Sequence, residues 1–300
     1  MLEELIEEIA KNNVFQKKSL TRLLESMDSQ ARKEMEEYAD FYLSYLVNQG
    51  CSIEEIAADY SWMCREILKE QVFFRRCGHY RYASLQDTLK NVYANPEYMR
   101  RYMIGVGVSQ MLWENHQAMF SFWDRQFRDI SGDTYLEVGV GHGMFFRTAL
   151  RNGRFRKYVA VDISETSLNM TRDLVRPMVE GKEVELLLTD VLDLVVYDQA
   201  VDFLTMGEVL EHVEQPDKLM GKIVTMLKPG GQAYISTCAN APVLDHIYLF
   251  NGLDEIRRLL QEAGLVIVGE MVVCNDKTPR ELWVEQKANL SYAAIVQKKG

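Results

Sequence analysis

Thr134 to Met144 reads TYLEVGVGHGM. Tyr135, Leu136 and Val138 form a short apolar run suited to a buried strand, and Gly139, Gly141 and Gly143 follow at every second position. A strand that runs into alternating glycines is turning sharply, because a residue without Cβ permits unusual backbone angles and lets a ligand lie against the main chain. Met144, Phe145, Thr148 and Ala149 then recur at helical spacing, so the loop is expected to open a helix. A dinucleotide fingerprint, G-x-G-x-x-G, requires a third glycine where this chain has Met144. The nicotinamide reading fails at that residue, and the pattern that remains is E-x-G-x-G-x-G from Glu137 to Gly143.

Working outward, KYVAVDIS (Lys157 to Ser164) is a second apolar strand. It ends in Asp162, about twenty residues past the glycines, the distance at which an acid reaches a ribose across a βαβ unit. LLLTDVLDL (Leu186 to Leu194) reads as a third strand followed by Asp190, VDFLTMGEVLEHVEQP (Val201 to Pro216) as a fourth strand and its sequel, and LKPGG (Leu227 to Gly231) as the turn before a fifth. The glycine loop resembles motif I of the class I S-adenosylmethionine (SAM) methyltransferases, and the stretches after it fall where that family would put them, over about residues 132–300. The resemblance implies an α/β, Rossmann-like sheet of seven strands, mostly parallel, with the last strand inserted antiparallel between strands five and six. It implies SAM as cofactor, with Glu137 at the end of strand one and Gly139, Gly141 and Gly143 against the methionine portion and ribose. It further implies Asp162 on the ribose hydroxyls, Ile163 on the adenine, Asp190 and Val191 at the adenine edge, and Glu208 facing the methyl-transfer pocket.

Residues 1–130 read as helical almost throughout. The expected organisation is therefore an all-helical N-terminal cap or substrate-binding domain at 1–130, with homodimerisation through these helices left open, and a SAM-binding domain at 131–300. Leu2, Leu5, Ile6 and Ile9 mark a first helix face, and Phe15, Leu20, Leu23 and Leu24 a second. A third helix is expected from Ser29 to Asn48, ending at Gly50. Ser52 with Glu55 makes a capping box for a fourth. Asn95 and Pro96 suit the N-cap and first position of a long helix reaching about Phe127, apolar on most sides, with Gly105, Gly107 and Ser109 inviting a close approach.

A net charge of −10 with no basic stripe argues against a nucleic-acid partner. The five cysteines form no C-x-x-C pair, which fits a reducing cytoplasm. MLEELIEEIA is too acidic for a signal peptide, and the apolar run Tyr102 to Trp113 falls short of the roughly 20 residues that span a bilayer, so no membrane partner is expected. Strand four ends in TMGEV, not in the (D/N)PPY that grips a base amino group.

A helical cap of this size favours an enclosed pocket, so the expectation is a SAM-dependent methyltransferase acting on a small-molecule acceptor; the alternatives are a protein or RNA methyltransferase and a non-catalytic SAM-binding assembly protein. Methyl transfer needs a base only where the acceptor must lose a proton. His246, in the stretch CANAPVLDHIYLF after strand five, and His116 are the candidates; the alternatives are a helix-capping residue and a hydrogen-bonded core histidine. Tyr80 in the loop CGHYRYAS, Trp113 and Tyr248 are candidate substrate contacts, the loop being equally readable as a surface turn. GEVLEHV also resembles the segment of ubiquinone-type and small-RNA methyltransferases in which a Glu-x-x-Glu-His group can hold a divalent metal, here Glu208, Glu211 and His212, with His246 as a fourth ligand. The reading adopted is no metal.

Overall fold

The computed structural model describes residues 1–12 and 14–299, without the side chains of residues 12, 14, 15 and 26, so the expected place of Phe15 on a helix face lies outside the described residues. Seven helices come first: α1 (Leu2–Asn12), α2 (Val14–Ser26), α3 (Ser29–Asn48), α4 (Ile53–Cys77), the single turn α5 (Leu85–Thr88), α6 (Pro96–Leu112) and α7 (Glu114–Phe127). Their ends follow local chemistry. Ser52 Oγ accepts from Glu55 N at 3.2 Å while Ser52 N donates to the Glu55 carboxylate at 2.8 Å, so the capping box forms. Gly78 closes α4 with φ 76°, and Asn95 Oδ1 caps α6 ahead of Pro96. A π-helical turn, Leu89–Tyr93, joins α5 to α6.

The long helix expected from 96 to 127 is two helices. Trp113 is extended, with φ −111° and ψ 127°, and it separates α6 from α7. Neither proline nor glycine stands at the break; a glutamine from each helix bonds to a carbonyl of the other, and that of Gln117 satisfies one freed at the end of α6. Gln117 donates to Met111 O, and Gln110 donates to His116 O at 2.6 Å. The small residues of α6 have a definite purpose. A Cβ on Gly107 would lie 2.2 Å from the Tyr42 hydroxyl and one on Gly105 2.8 Å from Met63 Sδ, so α3 and α4 approach the α6 backbone directly.

From Ser131 the chain alternates strand and helix: β1 (Ser131–Val138), α8 (Met144–Asn152), β2 (Arg154–Asp162), α9 (Glu165–Val175), β3 (Glu183–Leu188), β4 (Val201–Gly207), α10 (Pro216–Met226), β5 (Leu227–Ala239), α11 (Leu253–Glu262), β6 (Leu265–Cys274) and β7 (Leu290–Lys298). The sheet order is β3-β2-β1-β4-β5-β7-β6, with β7 antiparallel to both neighbours and the β1–β2, β1–β4, β2–β3 and β4–β5 pairs parallel. This is the expected Rossmann-like topology.

Alternation along the strands makes two cores. Leu136, Val159, Leu204 and Ile235 face α10 and α11, while Tyr135, Tyr158, Phe203 and Tyr234 face the other way. That second face is aromatic, and α7 closes it. Trp123 and Phe127, both fully buried, stack with ring centroids 4.8 Å apart, and Trp123 Nε1 donates to Thr205 Oγ1 on β4. Truncating such a side chain costs about 3–5 kcal/mol. By packing, α7 thus belongs to the sheet, whereas α1 to α6 build a core of their own around Leu5, Tyr42, Ile56 and Val108.

Candidate active site

The C-terminal ends of the strands and the helical layer, through α2 and α4 to α7, border one cavity of about 1370 Å³. Single-ligand pockets occupy about 300–1,000 Å³, so the space suits two ligands.

Its floor is the glycine loop. Gly139, Gly141 and Gly143 have φ of 72°, 51° and 79°, angles that favour glycine. A Cβ on Gly139 would also meet Val209 at 2.6 Å. Gly139 N donates to Val161 O, tying the loop to β2. Asp162, at the tip of β2, accepts from Ser164 N at 2.7 Å and Gly141 N at 3.4 Å; burial pushes its carboxyl up. Ile163, 42% exposed, turns into the same space, and Asp190 caps the turn after β3 by accepting from Leu192 N, with Val191 buried beside it. Glu137 lies beneath the loop, 3% exposed, accepting from Tyr135 at 2.6 Å; burial raises its pKa to about 8.

Past β4, Glu208 sits at φ 53° with its N–H held by Ser236 O. Its Oε1 and that of Glu211 are buried without a hydrogen-bond partner. Burial drives both carboxyls up, Glu211 further because the charge of Glu208 stands beside it. The residues matched to a metal group, Glu208, Glu211, His212 and His246, do not converge. Among the described residues, the donor atoms that gather within 4.8 Å are those of Glu211, Cys238 and His246, and those of His212, Asp245 and His246. Glu211 Oε2 is taken by Thr237 at 2.6 Å and His212 Nδ1 by Asp245, so no step through a metal is derived.

The two histidines selected from the sequence both line the cavity, yet neither is tuned toward neutral pH. His246 is 6% exposed, donates from Nδ1 to Ala241 O at 2.6 Å, and is pushed by burial down to about 3; His116, paired through Nδ1 with Ser109 Oγ at 2.9 Å, is likewise pushed to about 3. This corrects the expectation for His246: burial, with His212 beside it, outweighs the Asp245 carboxylate and the Ala241 carbonyl, which act the other way. Trp113 lines the cavity and donates to Tyr60 OH. Tyr80 and Tyr248 do not. Tyr80 stands behind the wall, its hydroxyl accepting from Ala241 N at 3.1 Å, and Tyr248 packs on Phe250 with its hydroxyl on Glu255.

Sequence reasoning missed Tyr93, Tyr102 and Asp245. Both tyrosine hydroxyls donate to the Asp245 carboxylate, at 2.8 and 3.0 Å, across 152 and 143 residues. No local pattern signals a pairing at that separation. The apolar wall, which includes Met63, Ile67, Met99, Met103, Val106 and Met119, was visible as helix faces but not as a pocket.

Residues 136–235 match a family model described as a methyltransferase domain. A ubiquinone biosynthesis O-methyltransferase of Xanthomonas euvesicatoria pv. vesicatoria (strain 85-10) is 28% identical over 133 residues, 44% of this chain and 54% of the relative. The chain thus spans about half the length of that curated relative. Among solved structures, phosphoethanolamine N-methyltransferase 2 of Haemonchus contortus, in complex with phosphomonomethylethanolamine and S-adenosylhomocysteine, aligns with a TM-score of 0.54 at 16% identity, covering 72% of this chain and 61% of that one. The N-methyltransferase NodS of Bradyrhizobium japonicum WM9, bound to S-adenosylhomocysteine, gives 0.51 at 14% identity, covering 72% and 100%. At those identities the likeness is one of fold, and it agrees with the strand order. Topology, loop and matched methyltransferase domain coincide on the same residues, 136–235 of the seven-stranded sheet.

Proposed function

We propose that this protein moves a methyl group from SAM to a small-molecule acceptor held between the helical layer and the strand ends. The observation that carries the reading is continuity: the glycine loop, Asp162 and Asp190 line the same cavity as Met63, Met103 and His116 of the helices. SAM, when bound, supplies a methyl on a positively charged sulfur that becomes a neutral thioether on transfer. The residues fit it. The loop leaves its backbone bare, Asp162 presents a carboxylate to a ribose, Ile163 offers an apolar face for adenine, and Asp190 with Val191 edges it. Glu208, just past β4, would face the methyl-transfer pocket. The chain's own task is to hold two reactants in line and exclude water.

An RNA substrate is disfavoured by a charge of −10; a protein substrate is separated by assay of acceptors. A non-catalytic SAM-binding assembly protein is separated by turnover. Exposed Leu68 and Val72 on α4 support self-association through the helices, and the five unpaired cysteines support a reducing compartment such as the cytoplasm. Among the described residues, no helix is long and apolar enough to cross a membrane. In the division of labour proposed here, α1–α6 form the cap and α7 the first element of the cofactor-binding unit.

Calorimetry with S-adenosylhomocysteine tests the reading. The wild type should bind, and Asp162→Ala should weaken binding at least tenfold, since each charge-assisted hydrogen bond is worth about 1.5–3 kcal/mol. Unchanged affinity would remove the cofactor assignment.

A further inference from the structure

Resting on the methyltransferase reading, we infer that the acceptor is an elongated amphiphile. Its apolar body lies along the wall made by α4 and α6, and an acid group at its far end, carboxylate, sulfate or phosphate, is held at the cavity mouth by Lys18 and Arg22 of α2. The polarity of the wall changes from one end to the other, and an acceptor that matches it changes likewise.

The inner wall is apolar. Met99, Met103 and Val106 recur along one face of α6, and Met63 and Ile67 lie one turn apart on α4. Methionine side chains adapt to the outline of a body lodged among them. The tyrosines that line the same space, Tyr93 and Tyr102, are already engaged, both donating to Asp245. Among the described residues, no lysine or arginine on the cavity lining is buried. An acid group drawn inward would therefore lose its water without gaining a cation, which is heavily unfavourable.

The wall then leads outward along α4. Met63 is 1% exposed, Ile67 8%, and Gln71 half-buried, at successive steps of four residues on one helix face, about 12 Å of rise in all. Alongside runs α2, with Gln16 against the Cys64 thiol of α4, and it turns Lys18, Ser19, Arg22 and Leu23 to the cavity. Lys18 and Arg22, one turn apart, are exposed and make no ion pair among the described residues.

Charge sets the class. The protein carries −10 overall, yet α2 holds Lys17, Lys18 and Arg22 against the single acid Glu25. On the outer half of α4 the acids are already paired, Glu66 with Lys69 and Glu70 with Arg81. The exposed acids of the lining stand on other elements: Glu114 opens α7, and Glu214, past β4, accepts from Leu85 N at 2.8 Å. Two free cations at the end of an apolar wall suit an acid group whose chain runs inward from it.

The experiment uses the full-length protein saturated with S-adenosylhomocysteine and three probes titrated by calorimetry: decanoate, decyltrimethylammonium and butyrate. Decanoate should bind. Butyrate, which keeps the acid and loses most of the body, should bind roughly a hundredfold more weakly or worse, and decyltrimethylammonium about tenfold more weakly. The double substitution Lys18→Glu, Arg22→Glu should weaken decanoate about tenfold and leave S-adenosylhomocysteine affinity unchanged. Lys18→Gln and Arg22→Gln singly should each weaken it about two- to threefold, which covers the case in which the double variant fails to fold. Lys17→Glu, on the same helix but outside the cavity lining, should change decanoate affinity by less than about twofold. Decanoate failing to bind the saturated protein, butyrate or decyltrimethylammonium matching it, or the substitution at Lys17 acting as strongly as those at Lys18 and Arg22 would each overturn the inference. Failure of S-adenosylhomocysteine itself to bind the wild type would instead sink the methyltransferase reading.

Discussion

The two sides of the cavity are built by different means. On the glycine-loop side, most of the chemistry is backbone: three positive φ angles, amides tied to Val161 O and Asp162, and strand ends brought side by side by parallel pairing. On the helical side it is side chains brought together over long separations, Tyr93 and Tyr102 on Asp245, Trp113 on Tyr60, Asn115 on Ser291. A site made of turns is written in consecutive residues. A site made of helix faces is written only in the packing.

The most drastic way to break this contrast is to cut between the two. A chain beginning at Ser131 loses α7 and uncovers Tyr135, Phe155, Phe203 and Tyr234, so it should aggregate or fail to bind S-adenosylhomocysteine. A chain beginning at Glu114 keeps Trp123 and Phe127 on that face and should remain folded, with the acceptor wall gone. Size-exclusion chromatography and circular dichroism distinguish the outcomes. If the Ser131 chain folds as well as the Glu114 chain, α7 is not part of the sheet's core.

Single glycines give a finer comparison. Gly107→Ala places a methyl 2.2 Å from Tyr42 OH and should cost about 1–3 kcal/mol through overpacking, more than the roughly 1 kcal/mol gained in helix propensity. Gly139→Ala meets Val209 at 2.6 Å at a φ of 72°, and should lower cofactor affinity as well as stability. Thermal melts with and without S-adenosylhomocysteine separate them. The ligand-induced shift should survive in the first variant and shrink in the second; equal shifts would contradict the assignment of the two walls.

What was legible in the sequence follows the same division. E-x-G-x-G-x-G, the acids at 162 and 190 and the strand periods were legible because each is a local pattern; the sheet order and the cofactor side came with the family resemblance that those motifs carry. The break at Trp113 was not legible, since Gln110 and Gln117 stabilise it from either side without a proline or glycine to announce it. His246 looked tunable because Asp245 adjoins it in sequence. In space the Asp245 carboxylate takes two tyrosines and its main-chain carbonyl takes His212, while His246 sinks among Tyr80, Cys238 and Ala241. The adjacency holds in space, since the donor atoms of Asp245 and His246 lie within 4.8 Å, but burial outweighs the carboxylate and drives the imidazole down.

The smallest effects, and the sharpest on the two walls, come from pH. Glu137 on the loop side has its pKa raised by burial from 4.5 to about 8, so the folded state binds its proton more tightly than the unfolded state does. Its contribution is fully present below pH 4.5 and is lost as the pH rises through 8. His116 on the helical side is displaced the other way, from 6.5 to about 3, so its contribution is present above pH 6.5 and is lost as the pH falls toward 3. Glu137→Gln should therefore gain stability relative to wild type as the pH is raised from 4.5 to 8, with Gln still offering an oxygen to Tyr135. His116→Gln should gain relative to wild type only as the pH is lowered from 6.5. Melting temperatures of the ligand-free proteins between pH 4 and 8.5 resolve both trends. Relative stabilities that move together with pH would mean that the two groups do not titrate as their burial requires, and the opposition between the walls would then rest on geometry alone.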